Sequence, residues 1–341
     1  MIRPPIKLMI SVVLLWGSLP VFAGEKPTAE YHISRCEVVP VSGHQVEFRI
    51  DGELVLKWHY GPQYPRPFFF PLLGPSGVPL TRMGHPGAPD HEHHRSIWFA
   101  HHNVNGQNFW SEQGQTKVRQ TRWLAYAESD EEGVMASQLV WEPAESQPLM
   151  KQDVIAAVRP MKHKEYCLEL QLTFTPFGRK EVVLEKTNFG ILAIRVSKSL
   201  SAVFGGGELT GSGQQKGEKE LFGQQARWMD YSGPIVVGVG DKRRVVQEGI
   251  TLFDHPQNPR YPTHWHVRND GWMGASLCMQ ESLSVTSAKP LVLRYLIYAH
   301  SGVAEESKLD RIHTQFAKRP GFELLTKPKP HHQYGVQRLA P

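Results

Sequence analysis

The chain has 341 residues, an apolar content of 40% and a formal charge of +5 at neutral pH. This length and apolar fraction suit a globular protein with a sizeable core, in one large domain or two smaller ones. The charges are spread without a long basic block, so nothing suggests nucleic-acid binding.

Residues 1–23 read as a signal peptide. Arg3 and Lys7 form a positive start, Leu8 to Leu15 an apolar stretch, and Val21-Phe22-Ala23 a small-residue cleavage site before Gly24. The apolar run is too short for a membrane span. A cut after Ala23 removes those two cations, takes the formal charge from +5 to +3, and predicts a secreted or periplasmic protein. No hydrophobic span follows in the mature chain. The three cysteines, Cys36, Cys167 and Cys278, are far apart and show no metal-binding spacing. At most one disulfide can join them, and they are expected as small buried thiols.

The mature chain reads as strands. Val46–Ile50 and Glu53–Tyr60 alternate apolar and polar residues around Asp51-Gly52, a hairpin signal. Gly61 to Pro79 is rich in proline and reads as irregular chain anchored by Phe68-Phe69-Phe70. Further strands are predicted at 118–127, 135–141, 154–159, 165–175, 181–186, 190–196, 235–239, 250–253, 272–277, 283–286 and 291–298. The clearest is 165–175, where Leu168, Leu170, Leu172 and Phe174 fall on one face at period two. Gly205 to Gly217 lacks the ending of a phosphate-binding loop and reads as a flexible lid or disordered surface loop. The one clear helix is Glu305 to Ala317, with Leu309, Ile312 and Phe316 on one face. The tail from Lys327 to Pro341 reads as loose. Many short strands and almost no helix predict an all-β fold, a large antiparallel β-sandwich. With no linker in view, residues 24–341 are expected as a single domain, its body running from about 30 to 325.

The candidate site is a histidine-rich loop. Six of the 17 histidines lie between His85 and His102, and prolines and glycines before Asp90-His91-Glu92-His93-His94-Arg95 forbid a regular element. Ile97-Trp98-Phe99-Ala100 then reads as a short buried strand. Such a loop brings imidazoles and a guanidinium to the edge of a core. Imidazole suits proton transfer near neutral pH and also metal binding. His91-x-x-His94 would share a face on a helical turn and hold a metal there, but would need ligands from elsewhere on a strand. A divalent metal is therefore the cofactor class these histidines suit, though the sequence requires none. Trp110 reads as core or as a stacking platform for a sugar. No Gly-x-Ser-x-Gly elbow supports acyl-serine chemistry.

A second proline-locked stretch, Asp254 to Arg268, carries His255, Arg260, His264, His266 and Arg268. His264 and His266 point the same way if extended. Between the two clusters, Asp230 in Trp228-Met229-Asp230-Tyr231-Ser232-Gly233 reads as a base, an imidazole partner or a turn carboxylate.

These motifs together resemble the PmoA-like family, often labelled "methane oxygenase PmoA" and also carried as a domain of unknown function, DUF6807. The likeness rests on Asp90-His91-x-x-His94-Arg95, Val104-Asn105-Gly106 with Phe109-Trp110, Asp230-Tyr231-Ser232-Gly233, and His255-Pro256-x-Asn258-Pro259-Arg260 with Trp265-x-x-Arg268. It covers about Tyr60 to Gly302. A membrane oxygenase subunit needs several spanning helices, and this chain has no such span after residue 23. The resemblance implies instead a sandwich of the galactose-mutarotase type, a fold that hosts carbohydrate-active enzymes using histidine and carboxylate groups.

The reading that follows is a secreted carbohydrate-active enzyme working by acid–base chemistry on a sugar ring, as an epimerase, lyase or hydrolase. His91, His94 and His102, with Asp230 and His255 behind them, are the expected acid–base groups. Arg95, Trp98, Arg260, His266 and Arg268 are the expected substrate-holding groups. A metal enzyme on the same histidines and a non-catalytic glycan-binding module are the alternatives.

Overall fold

The structure is a computed structural model that describes residues 1, 32–85, 91–326 and 331–340. The expected signal peptide, Asp90 and part of the C-terminal tail lie outside the described residues. Ser34–Pro341 form one compact unit.

The first eight strands in the chain are β1 (Cys36–Val41), β2 (Gln45–Ile50), β3 (Glu53–His59), β4 (Phe68–Leu72), β5 (Ile97–His101), β6 (Lys117–Ala127), β7 (Gly133–Glu142) and β8 (Met150–Pro160). Next come β9 (Tyr166–Pro176), β10 (Glu181–Leu184), β11 (Gly190–Arg195), β12 (Glu208–Gly211), helix α1 (Gly217–Leu221), β13 (Trp228–Val237) and β14 (Arg244–Asp254). The last elements are β15 (Trp265–Arg268), β16 (Trp272–Ala275), β17 (Leu283–Thr286), β18 (Leu291–Ser301), helix α2 (Glu306–Lys318), β19 (Phe322–Leu325) and β20 (Gly335–Arg338).

Two eight-stranded sheets form the sandwich. One runs β1-β2-β3-β4-β5-β11-β16-β15 and the other β12-β13-β14-β18-β9-β8-β7-β6. Neighbouring strands in both are antiparallel. The predicted all-β sandwich is thus the observed architecture. Asp51 and Gly52 both take positive φ, 51° and 77°, at the β2–β3 turn. That is the twist a two-residue hairpin needs.

One continuous apolar core fills the space between the sheets. Phe48, Trp58, Phe69, Phe99, Ile194 and Met273 come from the first sheet; Met135, Trp141, Leu168, Leu170, Leu172 and Phe174 come from the second. Their period-two spacing is the cause, since alternate side chains on a strand point to opposite faces.

The outer faces differ. On the second sheet, Trp228, Phe253, Leu296 and Tyr298 are covered by Leu309, Ile312 and Phe316 of α2. Leu124, Ala136 and Ile155 are covered by Phe322 of the β19–β20 ribbon. The expected loose tail is therefore partly built in. Arg338 pairs with Glu169 at 2.8 Å and Glu132 at 2.7 Å, and Arg294 meets Glu169 at 2.6 Å. Buried carboxylates need such partners.

Three further segments differ from the sequence reading. Phe68-Phe69-Phe70 belongs to β4 rather than to irregular chain, because pairing with β3 and β5 satisfies a backbone that proline makes irregular by local propensity. Trp228–Gly233 lies within a ten-residue strand, not a turn. The Gly-rich 205–217 segment contains β12 and touches neighbouring backbone at Gly207, while Gly213 to Lys216 are exposed. A Cβ on Gly207 would meet the Leu200 carbonyl oxygen at 2.0 Å, and one on Gly233 would meet Gly207 Cα at 2.4 Å. These glycines allow backbones to touch.

All three cysteines are free and buried. Burial raises the thiol pKa of each to about 11, despite the guanidinium of Arg35 beside Cys36. A thiol-reactive disulfide reagent is therefore expected to modify none of them in the native protein and all three in denaturant. A reductant is expected to leave the melting temperature unchanged. Fast labelling without denaturant contradicts this burial.

Candidate functional site

The outer face of the first sheet carries a different surface. On β5, Ile97 and Phe99 enter the inter-sheet core while Trp98 and Ala100 face outward. Register then extends that outward face across the sheet. Trp98 pairs with Ala193, Ala193 with Gly274, and Gly274 with His266. Arg195 likewise pairs with Trp272, and Trp272 with Arg268. Trp98 and His266 are three strand spacings apart, about 14 Å. Small residues in the middle of this row leave room. A Cβ on Gly274 would already meet Trp272 Cζ2 at 3.3 Å.

A cavity of about 450 Å³ lies over this row. It is lined by His91, His93, His94, His102, Asn108, Trp110, Ser111, Gln113, Phe189, Arg195, His266, Arg268, Asp270 and Trp272. The histidine loop forms one wall and is pinned at both ends. The His94 N–H donates to the His91 carbonyl at 3.1 Å, and the Gly84 N–H donates to the His94 carbonyl at 2.7 Å. Another part of the lining is set by Asn108, whose side-chain oxygen accepts from the N–H groups of Trp110 at 2.8 Å and Ser111 at 3.1 Å. Such a turn fixes Trp110 without regular structure.

Aromatic rings surround His94. Its imidazole stacks on Trp98 at 5.4 Å, tilts against Trp272 at 4.7 Å and meets His93 edge-on at 4.4 Å. Burial there, reinforced by His93 and Arg195, holds its pKa far below the ordinary histidine value. Among the described residues, nothing hydrogen-bonds its buried Nδ1. His266 is lowered to about 4, again by burial first and Arg268 second. Its Nδ1 lies 3.1 Å from the Asn188 carbonyl. A carbonyl only accepts, so Nδ1 carries the proton and Nε2 keeps its lone pair. Both imidazoles are neutral at neutral pH.

Beside them sits an ion pair between a buried guanidinium and a half-buried carboxylate. Arg195, whose side chain is 1% exposed, binds Asp270 through Nη1 at 2.9 Å and Nη2 at 3.2 Å. Burial alone would raise the Asp270 pKa, but the Arg195 hydrogen bond and charge hold it low. Arg195 and Arg82 both donate to His85 Nδ1, at 2.7 and 3.1 Å. His85 is therefore neutral with its proton on Nε2, and burial and the two guanidiniums lower its pKa.

Five of the ten expected site residues thus line one cavity: His91, His94, His102, His266 and Arg268. Two stand just behind it. Trp98 supports His94, and Arg95 is bidentate to Glu112 at 2.6 and 2.5 Å, over the Tyr64 and Phe68 rings. Three lie elsewhere. Asp230 is on the outer face of the second sheet, where its Oδ2 accepts from Thr251 at 2.7 Å and approaches His300 Nε2 at 2.8 Å. His255 lies under α2, against Phe316 and 3.0 Å from Arg294 Nη1. Arg260 donates to the carbonyls of Leu277, Glu281 and Ser282, holding a loop. The reason is shared: each belongs to a stretch whose strand register or turn aims it away from the outward face of the first sheet.

Sequence reasoning missed Trp272, Phe189, Arg195 and Asp270. They sit on isolated strands or turns whose pairing to β5 and β15 is not written locally. His93 lay within the motif and was passed over. Among the described residues, no group of three or more His, Cys, Asp or Glu is arranged to hold a metal ion, so no step is assigned to one. A larger hollow of about 620 Å³ beside α2 has Glu165, Tyr298 and Lys308 in its lining. Those three groups are bonded to one another.

The fold and cavity define a β-sandwich protein with a histidine- and tryptophan-lined pocket on one sheet. The chain belongs to the family of unknown function DUF6807, whose model matches residues 45–314. No curated protein matches the sequence. Among solved structures, the chain is similar to one named "Putative kojibiose phosphorylase from human microbiome", with a TM-score of 0.29 and 6% identity. The match covers 77% of this chain and 32% of that one, so the chain spans about a third of that protein's length. Among the described residues, no helix is long and apolar enough to cross a membrane.

The neutral imidazoles set a pH dependence. An unfolded histidine titrates near its ordinary value, whereas folded His266 titrates at about 4. Between those values the unfolded chain binds more protons, so this stabilising contribution is lost as pH falls from about 6.5 towards 4. Thermal melts across that window are expected to show a smaller fall in melting temperature for His266→Gln than for the unmodified chain. Parallel curves for the two proteins exclude the neutral buried imidazole.

Proposed function

We propose that the cavity is the active site of a secreted carbohydrate-active enzyme that moves protons at a sugar ring. One observation supports this above the others: buried neutral imidazoles and broad aromatic faces converge on one hollow. Aromatic rings offer flat apolar surfaces for the C–H faces of a sugar. Ser111, Gln113 and His102 offer hydrogen bonds to hydroxyl groups. Secretion is supported by the leader pattern of residues 1–23.

In this reading His266 accepts a proton through Nε2, because its Nδ1–H is committed to Asn188. His94 faces it across Trp272, which touches both rings, at 4.7 and 5.4 Å. The proton that His266 takes leaves again from the same Nε2, to the ring carbon or to a glycosidic oxygen, while neutral His94 hydrogen-bonds the substrate beside it. His91 and His102 border the mouth and position the substrate. Arg95 braces the loop through Glu112. The chemistry is general acid–base catalysis in an epimerase, lyase or hydrolase.

The test is turnover of a panel of oligosaccharides and oxidised sugars, followed by mass spectrometry of the products. Removing the acid–base group is expected to lower kcat by roughly 10²- to 10⁴-fold and removing a hydrogen-bonding group at the reacting centre by roughly 10²- to 10³-fold, so His266→Gln and His94→Ala should each lose activity on those scales. The activity should stay level across the neutral range and fall as pH drops through about 4, where His266 protonates. Full activity in both variants, or no binding of any sugar, rejects the proposal.

A further inference from the structure

We propose that this cavity selects an uncharged sugar and discriminates against the corresponding acid or phosphate. The inference rests on the carbohydrate reading above and narrows its substrate class.

The basis is how the fixed charges are already matched. Two guanidinium groups line the cavity, Arg195 and Arg268. Arg195 is engaged on both terminal nitrogens by Asp270. Arg268 donates through Nη1 to Glu218 Oε1 at 2.8 Å and stacks on the Phe222 ring at 4.5 Å. Arg95, behind the wall, is bidentate to Glu112. Each of these cations meets a carboxylate before any ligand arrives.

An anionic ligand faces two obstacles. At Arg195 it must displace a carboxylate that already supplies both charge and hydrogen bonds to the same guanidinium, and at Arg268 it meets a cation whose charge Glu218 already offsets. It must also approach Asp270, itself a lining residue, and like charges in a low-dielectric hollow repel. Of the other lining groups, the amides of Asn108 and Gln113, the Ser111 hydroxyl and the Trp110, Trp272 and Phe189 rings carry no charge, and the imidazoles of His91, His93 and His102 complete the wall. The imidazoles of His94 and His266 add no positive charge at neutral pH. A neutral ring exchanges its hydration for these groups without disturbing any ion pair.

Binding of matched pairs tests this with the full chain. Each pair is a methyl hexoside and the methyl hexuronoside of the same configuration, titrated by calorimetry. The neutral member is expected to bind at least about tenfold more tightly, since juxtaposed like charges carry costs of this order or more. Glu218 is not part of the lining, and Glu218→Gln unpairs Arg268. That variant is expected to keep the neutral sugar's affinity and to narrow the ratio between the two members. Tighter binding of the acid by the unmodified protein overturns the inference and leaves the carbohydrate reading standing. An unchanged ratio in a folded Glu218→Gln protein overturns the charge-matching argument. Binding of neither member in any pair overturns the carbohydrate reading, and this inference with it.

Discussion

The cross-strand register of β5, β11, β16 and β15 is the constraint on which the rest depends. A strand shows alternate residues to opposite faces, so a slip of one residue exchanges the two faces completely. With Trp98 opposite Ala193, Ala193 opposite Gly274 and Gly274 opposite His266, the outward face carries the functional groups. The inward face keeps Ile97, Phe99, Ile194, Val267 and Met273 in the core. The same pairing does two jobs. It holds the sheet against its partner and it fixes the cavity floor to within a strand spacing. A site resting on strands whose other face is locked in a core moves little.

The asymmetry between the outer faces decides where a ligand can go. The second sheet is closed by α2 and the β19–β20 ribbon, tied down by Arg294, Arg319 and Arg338 on Glu169 and Glu132. Polar groups on that face, Asp230 and His300 included, are sealed and bonded to each other. The first sheet is roofed by loops instead, which cannot close completely over a row containing Ala193 and Gly274. An incomplete roof over large aromatics makes a pocket. Desolvation within it then sets the protonation of His94 and His266, a property that neither residue has in a free chain.

The ion pairs around the pocket follow from the same packing. Arg195 belongs to a strand covered on both faces, so its charge must be matched within reach. The Asn269-Asp270-Gly271 turn between β15 and β16 supplies the match. His85 fills the remaining space as a neutral acceptor for two guanidiniums. The arrangement leaves each guanidinium that lines the cavity beside a carboxylate, Asp270 for Arg195 and Glu218 for Arg268.

Much of the fold was legible in local sequence. The alternation of Leu168, Leu170, Leu172 and Phe174 identified the core face of β9, Asp51-Gly52 the hairpin, and Leu309, Ile312 and Phe316 the buried face of α2. Five of the fourteen residues lining the cavity were expected from the sequence, because density of histidine is a compositional fact and His266 shared a face with the cavity by simple alternation. Asp230, His255 and Arg260 carried the same residue chemistry and read the same way, yet they serve the second sheet and its loops. Trp272, Arg195 and Asp270 carried no local signal. The sequence by itself determined which residues alternate, where the turns fall and which side chains can exchange protons, since these depend on neighbours along the chain. Only the tertiary structure decided which imidazoles meet, which are neutral and which charges are matched, because strand pairing and desolvation act between residues far apart in sequence.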